Sequence, residues 1–137
     1  MRNLLLLVVA SLALAAPVTV VAADEMRDGL WEMTTTMDMP GMPYKMPPTV
    51  IKHCYSKEDV KDRKKVVASD NKDCTVSDMK TTGNKVTWKM KCTGQNAATM
   101  TGEMIMGKDS YTSTMKMQSK ETNMTSKVKA KRIGSCP

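Results

Sequence analysis

"NKVTWKMKC", residues 84–92, alternates without a break. Val86, Trp88, Met90 and Cys92 fall on one side of an extended chain, and Lys85, Thr87, Lys89 and Lys91 on the other. Successive side chains of a strand point to opposite faces, so the pattern predicts a strand with one face in a core and one in water. The same period of two runs onward. "ATMTGEMIM" (98–106) places Met100, Met104 and Met106 together, and "YTSTMKMQS" (111–119) sets Tyr111, Met115 and Met117 against Thr112, Thr114, Lys116 and Gln118. "NMTSKVKAKR" (123–132) offers Met124, Val128 and Ala130 opposite Thr125, Lys127, Lys129 and Lys131. One apolar and one polar face on each strand is the mark of a half-buried antiparallel sheet.

The turns between these strands imply registers. A loop at Gly94-Gln95-Asn96 sets Met90 against Met100 and Trp88 against Gly102, where a large ring covers a missing side chain. Two-residue loops at Lys108-Asp109 and Lys120-Glu121 align Met106 with Tyr111, Met117 with Met124, and Tyr111 with Ala130. These choices keep the apolar faces together, which register slips would not. At the preceding hairpin two readings stand. A three-residue loop Thr82-Gly83-Asn84 puts Cys74 opposite Cys92 and Val76 opposite Met90, whereas a Gly83-Asn84 turn shifts Cys74 against Thr93.

Upstream, "GLWEMTTTMDM" (29–39) reads as a strand with Trp31, Met33, Met37 and Met39 on one face. Residues 40–48, "PGMPYKMPP", are a loop, because proline cannot sit inside a sheet. "TVIKHCY" (49–55) is a second short strand, and "SKEDVKDRKKVV" (56–67) reads as one short helix capped by Ser56 with Asp59 three residues on. Val60 and Val67 are too few to bury that helix deeply, so it is expected across one end of the sheet. The predicted fold is mainly β: a single strongly curved antiparallel sheet or partly closed barrel of about seven strands, with one short helix and two disulfides.

The chain begins with Arg2, an apolar run and the small-x-small triplet Val21-Ala22-Ala23, the pattern of a signal peptide cut before Asp24. Residues 1–23 are therefore expected to be removed, leaving 24–137 as a single β-rich periplasmic or secreted domain with no transmembrane segment. That part has 114 residues, enough for one core, and 20 basic against 14 acidic side chains. The lysines are scattered singly among Thr and Ser, as on a solvated face, without the basic and aromatic patch of a nucleic-acid binder. Cys54, Cys74, Cys92 and Cys136 all lie in the exported part, so they are expected as disulfides. Pairing Cys74 with Cys92 leaves Cys54 with Cys136, a bridge closing more than eighty residues and worth about 4–5 kcal/mol in the chain-entropy model.

The ordered series "DGLWEMTTTMDMPGMP", "CYSKEDV", "NKVTWKMKC", "MTGEMIM", "DSYTSTMKM" and "KRIGSCP" resembles the exported bacterial proteins catalogued as domain of unknown function 3617. The resemblance covers nearly the whole of residues 24–137 and implies a small secreted or periplasmic β-rich domain of a Gram-negative bacterium. It implies no activity and carries no catalytic residue. The one departure is Asp28, where proline is expected before Gly-Leu-Trp.

Function turns on the methionines. The exported part holds 14 Met, one Leu (Leu30) and no Phe. Thioethers spread over almost every strand do the packing that Leu and Phe do elsewhere, and their flexibility suits a pocket that repacks around varied apolar partners. Trp31, Met33, Trp88, Met90, Met100, Met104, Met115 and Met117 are the expected lining of such a pocket, for a hydrophobic small molecule or lipid, with loop 40–48 as a lid. The alternative is a Cu(I)/Ag(I) chaperone or buffer using Met37, Met39, Met42, Met46 and His53, since thioethers select soft ions. A third reading is a structural envelope protein whose lysines touch anionic polymer. No nucleophile elbow, phosphate-cradling glycine loop or HExxH segment appears, and His53 is the single histidine. The expectation is a non-enzymatic domain without a cofactor.

Overall fold

The computed structural model describes residues 25–67 and 72–137; the expected signal segment, 1–23, lies outside them. Seven strands form one antiparallel sheet: β1 (Gly29–Asp38), β2 (Thr49–Tyr55), β3 (Cys74–Thr82), β4 (Lys85–Cys92), β5 (Ala98–Met106), β6 (Ser110–Gln118) and β7 (Asn123–Gly134). Their spatial order is β2-β1-β7-β6-β5-β4-β3, so the sheet has two free edges and does not close. The barrel alternative is thereby set aside in favour of an open sheet.

The expected registers are present. Met90 faces Met100, Trp88 faces Gly102, Met106 faces Tyr111, Met117 faces Met124 and Tyr111 faces Ala130. At the β3–β4 hairpin both readings hold, each over part of its length. Near the tip Thr82 pairs with Lys85, as a Gly83-Asn84 turn requires, yet further down Cys74 faces Cys92 and Val76 faces Met90. A bulge between Ser77 and Lys80 takes up the difference. Asp78 there has φ +51, a left-handed conformation that Asp tolerates better than most residues.

One helix was expected and two are found, α1 (Lys57–Lys61) and α2 (Arg63–Val67). Ser56 caps α1 with Asp59 in a reciprocal capping box. Asp62 ends α1 in an extended conformation, and its carboxylate accepts from Lys64 N at 3.0 Å, starting the next turn. Val66 is the buried helical residue, with Val60 and Val67 packed against the core beside it. The pair follows β2, at one edge of the sheet, and precedes β3, at the opposite edge, and its valines place it against the covered face.

That face carries the core: Trp31 and Val86 at 0 % exposed, with Trp88, Met104, Tyr111, Ala130 and others around them. A hollow of about 210 Å³ touches residues of β1, β2, β4, β5, β6 and β7. In a flat sheet β2 and β4 would lie about 24 Å apart. The sheet must curl around this space. The opposite face presents lysines and threonines, among them Lys85, Lys89, Lys91, Lys127, Lys129 and Lys131, all exposed.

Cys74–Cys92 and Cys54–Cys136 form the two disulfides. The second ties β2 to the tail beyond β7, spanning β1, which lies between them. It staples one flank of an open sheet instead of joining its two edges. Ahead of β1, Arg27 forms an ion pair with Asp109, Trp31 Nε1 donates to Arg27 O at 3.1 Å, and Arg132 Nε donates to Asp28 O at 2.7 Å. Asp28 thus enters the fold through its backbone carbonyl, which a proline would also supply. Among the described residues no helix is long and apolar enough to cross a membrane.

Candidate functional site

Three rows of side chains cross the covered face at right angles to the strands. One runs Val76–Met90–Met100–Met117–Met124. The next runs Trp88–Gly102–Met115–Ser126, and the third Val86–Met104–Ser113–Val128. Cross-strand neighbours stand about 4.5–5.5 Å apart, so adjacent members of a row are within packing reach of one another. Small residues interrupt the second and third rows at Gly102, Ser113 and Ser126. The Trp88 ring lies across Gly102, filling that gap; a Cβ there would stand 2.8 Å from Cη2 and closer still to Cε2 and Cζ2. No such ring covers Ser113 and Ser126, and the 210 Å³ hollow lies over them, walled by Met33, Trp88, Met104, Met115 and Tyr111 and roofed by Val66 and Val67.

A second hollow of about 480 Å³ adjoins the first and shares Val67 and Met115 with it. Met90, Met100 and Met117 line it beside the Cys74–Cys92 disulfide. Seven of the eight residues expected to line an apolar pocket therefore border these two spaces. Trp31 is the exception: wholly buried, it packs edge-on to Tyr55 (centroids 6.3 Å) and tilted against Tyr111 (5.6 Å), behind the wall. Loop 40–48 contributes nothing to either hollow, so it is not a lid over this face.

Alternation alone did not single out Ser113, Ser126, Val66 or Tyr55. The two serines sit at inward positions of β6 and β7 where every neighbour in the period is apolar. That break in pattern was the available signal for a floor of small residues. Val66 had none, because its inward direction depends on the kink at Asp62.

Polar groups at the hollow are few. Tyr111 Oη donates to Met33 Sδ at 2.8 Å, reaching across Ala130, which lies between them in the sheet. Tyr55 Oη stands 3.4 Å from Tyr111 Oη and 3.8 Å from the same sulfur. Burial pushes the Tyr111 phenol far up from its ordinary value, with the neighbouring Tyr55 hydroxyl adding to the shift. Tyr55 is raised too, by burial first; its bond to Tyr111 opposes this in part, and the negative charge of Asp59 adds a lesser upward push. Both rings are thus held neutral as hydrogen-bonding groups. Trp88 Nε1 differs: it is buried and has no hydrogen-bond partner among the described residues. An unmet indole N–H costs about 1–3 kcal/mol, and it belongs to a residue of the hollow's wall.

The soft-metal set is divided. Met37, Met39, Met42 and Met46 border one space of about 520 Å³ beside the ends of β1 and β7, together with Asp38, Tyr44, Lys45 and Lys127. His53 is elsewhere, on β2, its ring 4.4 Å from that of Tyr55. Met37, placed on the core face by alternation, is 40 % exposed because β1 runs past the covered region there. Among the described residues no three His, Cys, Asp or Glu side chains gather as a metal site.

Neither the curated proteins nor the solved structures contain a match to this chain. The model of the family described as protein of unknown function (DUF3617) matches residues 26–136, which is the whole of the sheet, both helices and both disulfides. The chain belongs to the DUF3617 family.

Proposed function

We propose that the domain is a non-enzymatic periplasmic binding module that takes an apolar molecule, such as a lipid tail or small hydrophobic compound, into the methionine-walled space under α2. One observation carries this reading: two adjoining hollows lie on the covered face, and Met33, Met90, Met100, Met104, Met115 and Met117 all border them, with polar groups such as Thr93, Gln95 and Ser113 interspersed. Thioether chains have several rotatable bonds and polarizable sulfur, so a wall built from them adapts to differently shaped guests at small cost. Export of the domain is supported by the leader-like residues 1–23 and by four cysteines all joined in disulfides.

Native mass spectrometry of protein purified from its own periplasm should show a co-purifying apolar mass. Met115→Trp places a bulky ring where both hollows meet and should abolish that mass while circular dichroism still reports the sheet. Repeated recovery of empty wild-type protein, or retention of the mass in the folded variant, would refute the reading.

A further inference from the structure

We propose a second, independent site: Met37, Met39, Met42 and Met46 bind a soft monovalent d10 cation, Cu(I) or Ag(I), at the ends of β1 and β7. These four border one space, and they are separate from the methionines of the covered face. Local geometry brings them together. Met42 N donates to Met39 O at 3.3 Å, closing a turn whose central residues are Pro40 and Gly41, the latter at φ +92. Proline before a glycine of positive φ is the natural occupant of such a turn, and it folds Met42 back beside Met39. Met37 is in β1, Met39 directly follows the last strand residue Asp38, and both side chains border the same space. Pro43, Pro47 and Pro48 restrict the rest of the loop, so less freedom is lost when Met46 closes the set.

The donors select the ion. Four neutral sulfurs offer little to Ca²⁺, Mg²⁺ or Mn²⁺, which need oxygen ligands, and Asp38 is the single carboxylate at the site. Lys45 and Lys127 at the rim further oppose hard divalent ions, whose binding is chiefly electrostatic. A thioether bond to Cu(I) or Ag(I) rests on polarizability and tolerates such neighbours. All four cysteines are locked in disulfides, so methionine is the soft donor left to this chain. Met37 and Met42 are 40 % and 41 % exposed, so the space they border is open to an ion arriving from solvent.

Titration of the full folded domain with Ag(I), which needs no reductant, should give one ion per chain by native mass spectrometry. In protein carrying ¹³C-methyl methionine, the shifted resonances should be those of Met37, Met39, Met42 and Met46. Competition with a chromogenic Cu(I) chelator should show Cu(I) displacing Ag(I). The quadruple variant Met37→Leu/Met39→Leu/Met42→Leu/Met46→Leu keeps apolar volume and should keep the wild-type circular dichroism while binding about 100-fold more weakly. Asp38, Tyr44, Lys45 and Lys127 are the titratable groups around the sulfurs, and none is a proposed ligand. Thioether sulfur takes up no proton in water, so affinity should hold steady between about pH 5.5 and pH 8, whereas a steep fall across that interval would reveal a histidine ligand and overturn the assignment. Affinity within about threefold of wild type in the quadruple variant would overturn it too, as would shifts confined to the methionines of the covered face. Met115→Trp leaves this site intact, so failure of either proposal is separable from failure of the other.

Discussion

Gly102 shows how one missing side chain decides a local arrangement. Trp88 faces it across the β4–β5 ladder, and the indole occupies the volume that a Cβ would fill. The ring is rigid and 3 % exposed, so it cannot step aside into solvent. Gly102→Ala should accordingly destabilise the domain by about 1–3 kcal/mol, as overpacking of a core does. Urea unfolding followed by circular dichroism measures this, and an unchanged midpoint would mean that the ring does not rest there. This pairing was legible beforehand, because a loop between two alternating strands fixes which residues meet. The hollow beside it was not, since its floor depends on Ser113 and Ser126 being close to each other and uncovered.

Hairpin β3–β4 illustrates what elements add. The tip and the disulfide demand registers that differ by one residue, and a uniform ladder satisfies only one of them. The bulge at Asp78 reconciles the two, with Lys89 Nζ 3.4 Å from the Asp78 carboxylate on the exposed side. Disulfide topology sets a second expectation. Cys54–Cys136 spans 82 residues of sequence and Cys74–Cys92 spans 18. Chain entropy then assigns about 4–5 kcal/mol to the first and about 3 kcal/mol to the second. Comparing Cys54→Ser/Cys136→Ser with Cys74→Ser/Cys92→Ser in urea should show the larger loss for the long-range pair. The reverse order would mean that the hairpin bridge acts by holding the bulged strand in register, beyond its effect on the unfolded chain. Helix α2 belongs to the same scale. It sits over the hollow with Val66 turned inward, between β2 and β3 in the chain, which lie at opposite edges of the sheet.

For the whole molecule, Tyr55 and Tyr111 link stability to pH. They come from β2 and β6, on either side of β1 and β7, and meet at Met33. Both phenols are raised in the folded state, so below about pH 10 they are neutral whether the chain is folded or not, and stability is independent of them. Above that pH the unfolded chain ionises first, the folded state retains its protons, and stability falls as pH rises. Up to about 1.4 kcal/mol should be lost per pH unit for each such group. Absorbance at the phenolate band should show these two rings ionising above the ordinary phenol range while the sheet is folded. Tyr111→Phe, which keeps the ring and removes the proton, should flatten the alkaline slope.

Residue order alone sets the strands, most of the faces they bury, the ladder registers from β4 to β7 and the choice of disulfide partners. Those properties follow from a period of two joined by short turns, so residues such as Trp88 and Gly102 are placed by their immediate neighbours in the chain. Only the tertiary structure decided that the sheet stays open, that β1 inserts between β2 and β7, and that two helices roof the covered face. It also decided that Met37 and Met42 emerge at a strand end while Met90 and Met104 are enclosed. Those outcomes depend on how far the sheet curls and on which side chains of the helices reach its covered face. Such arrangements are set by packing between segments far apart in sequence, which no local pattern encodes.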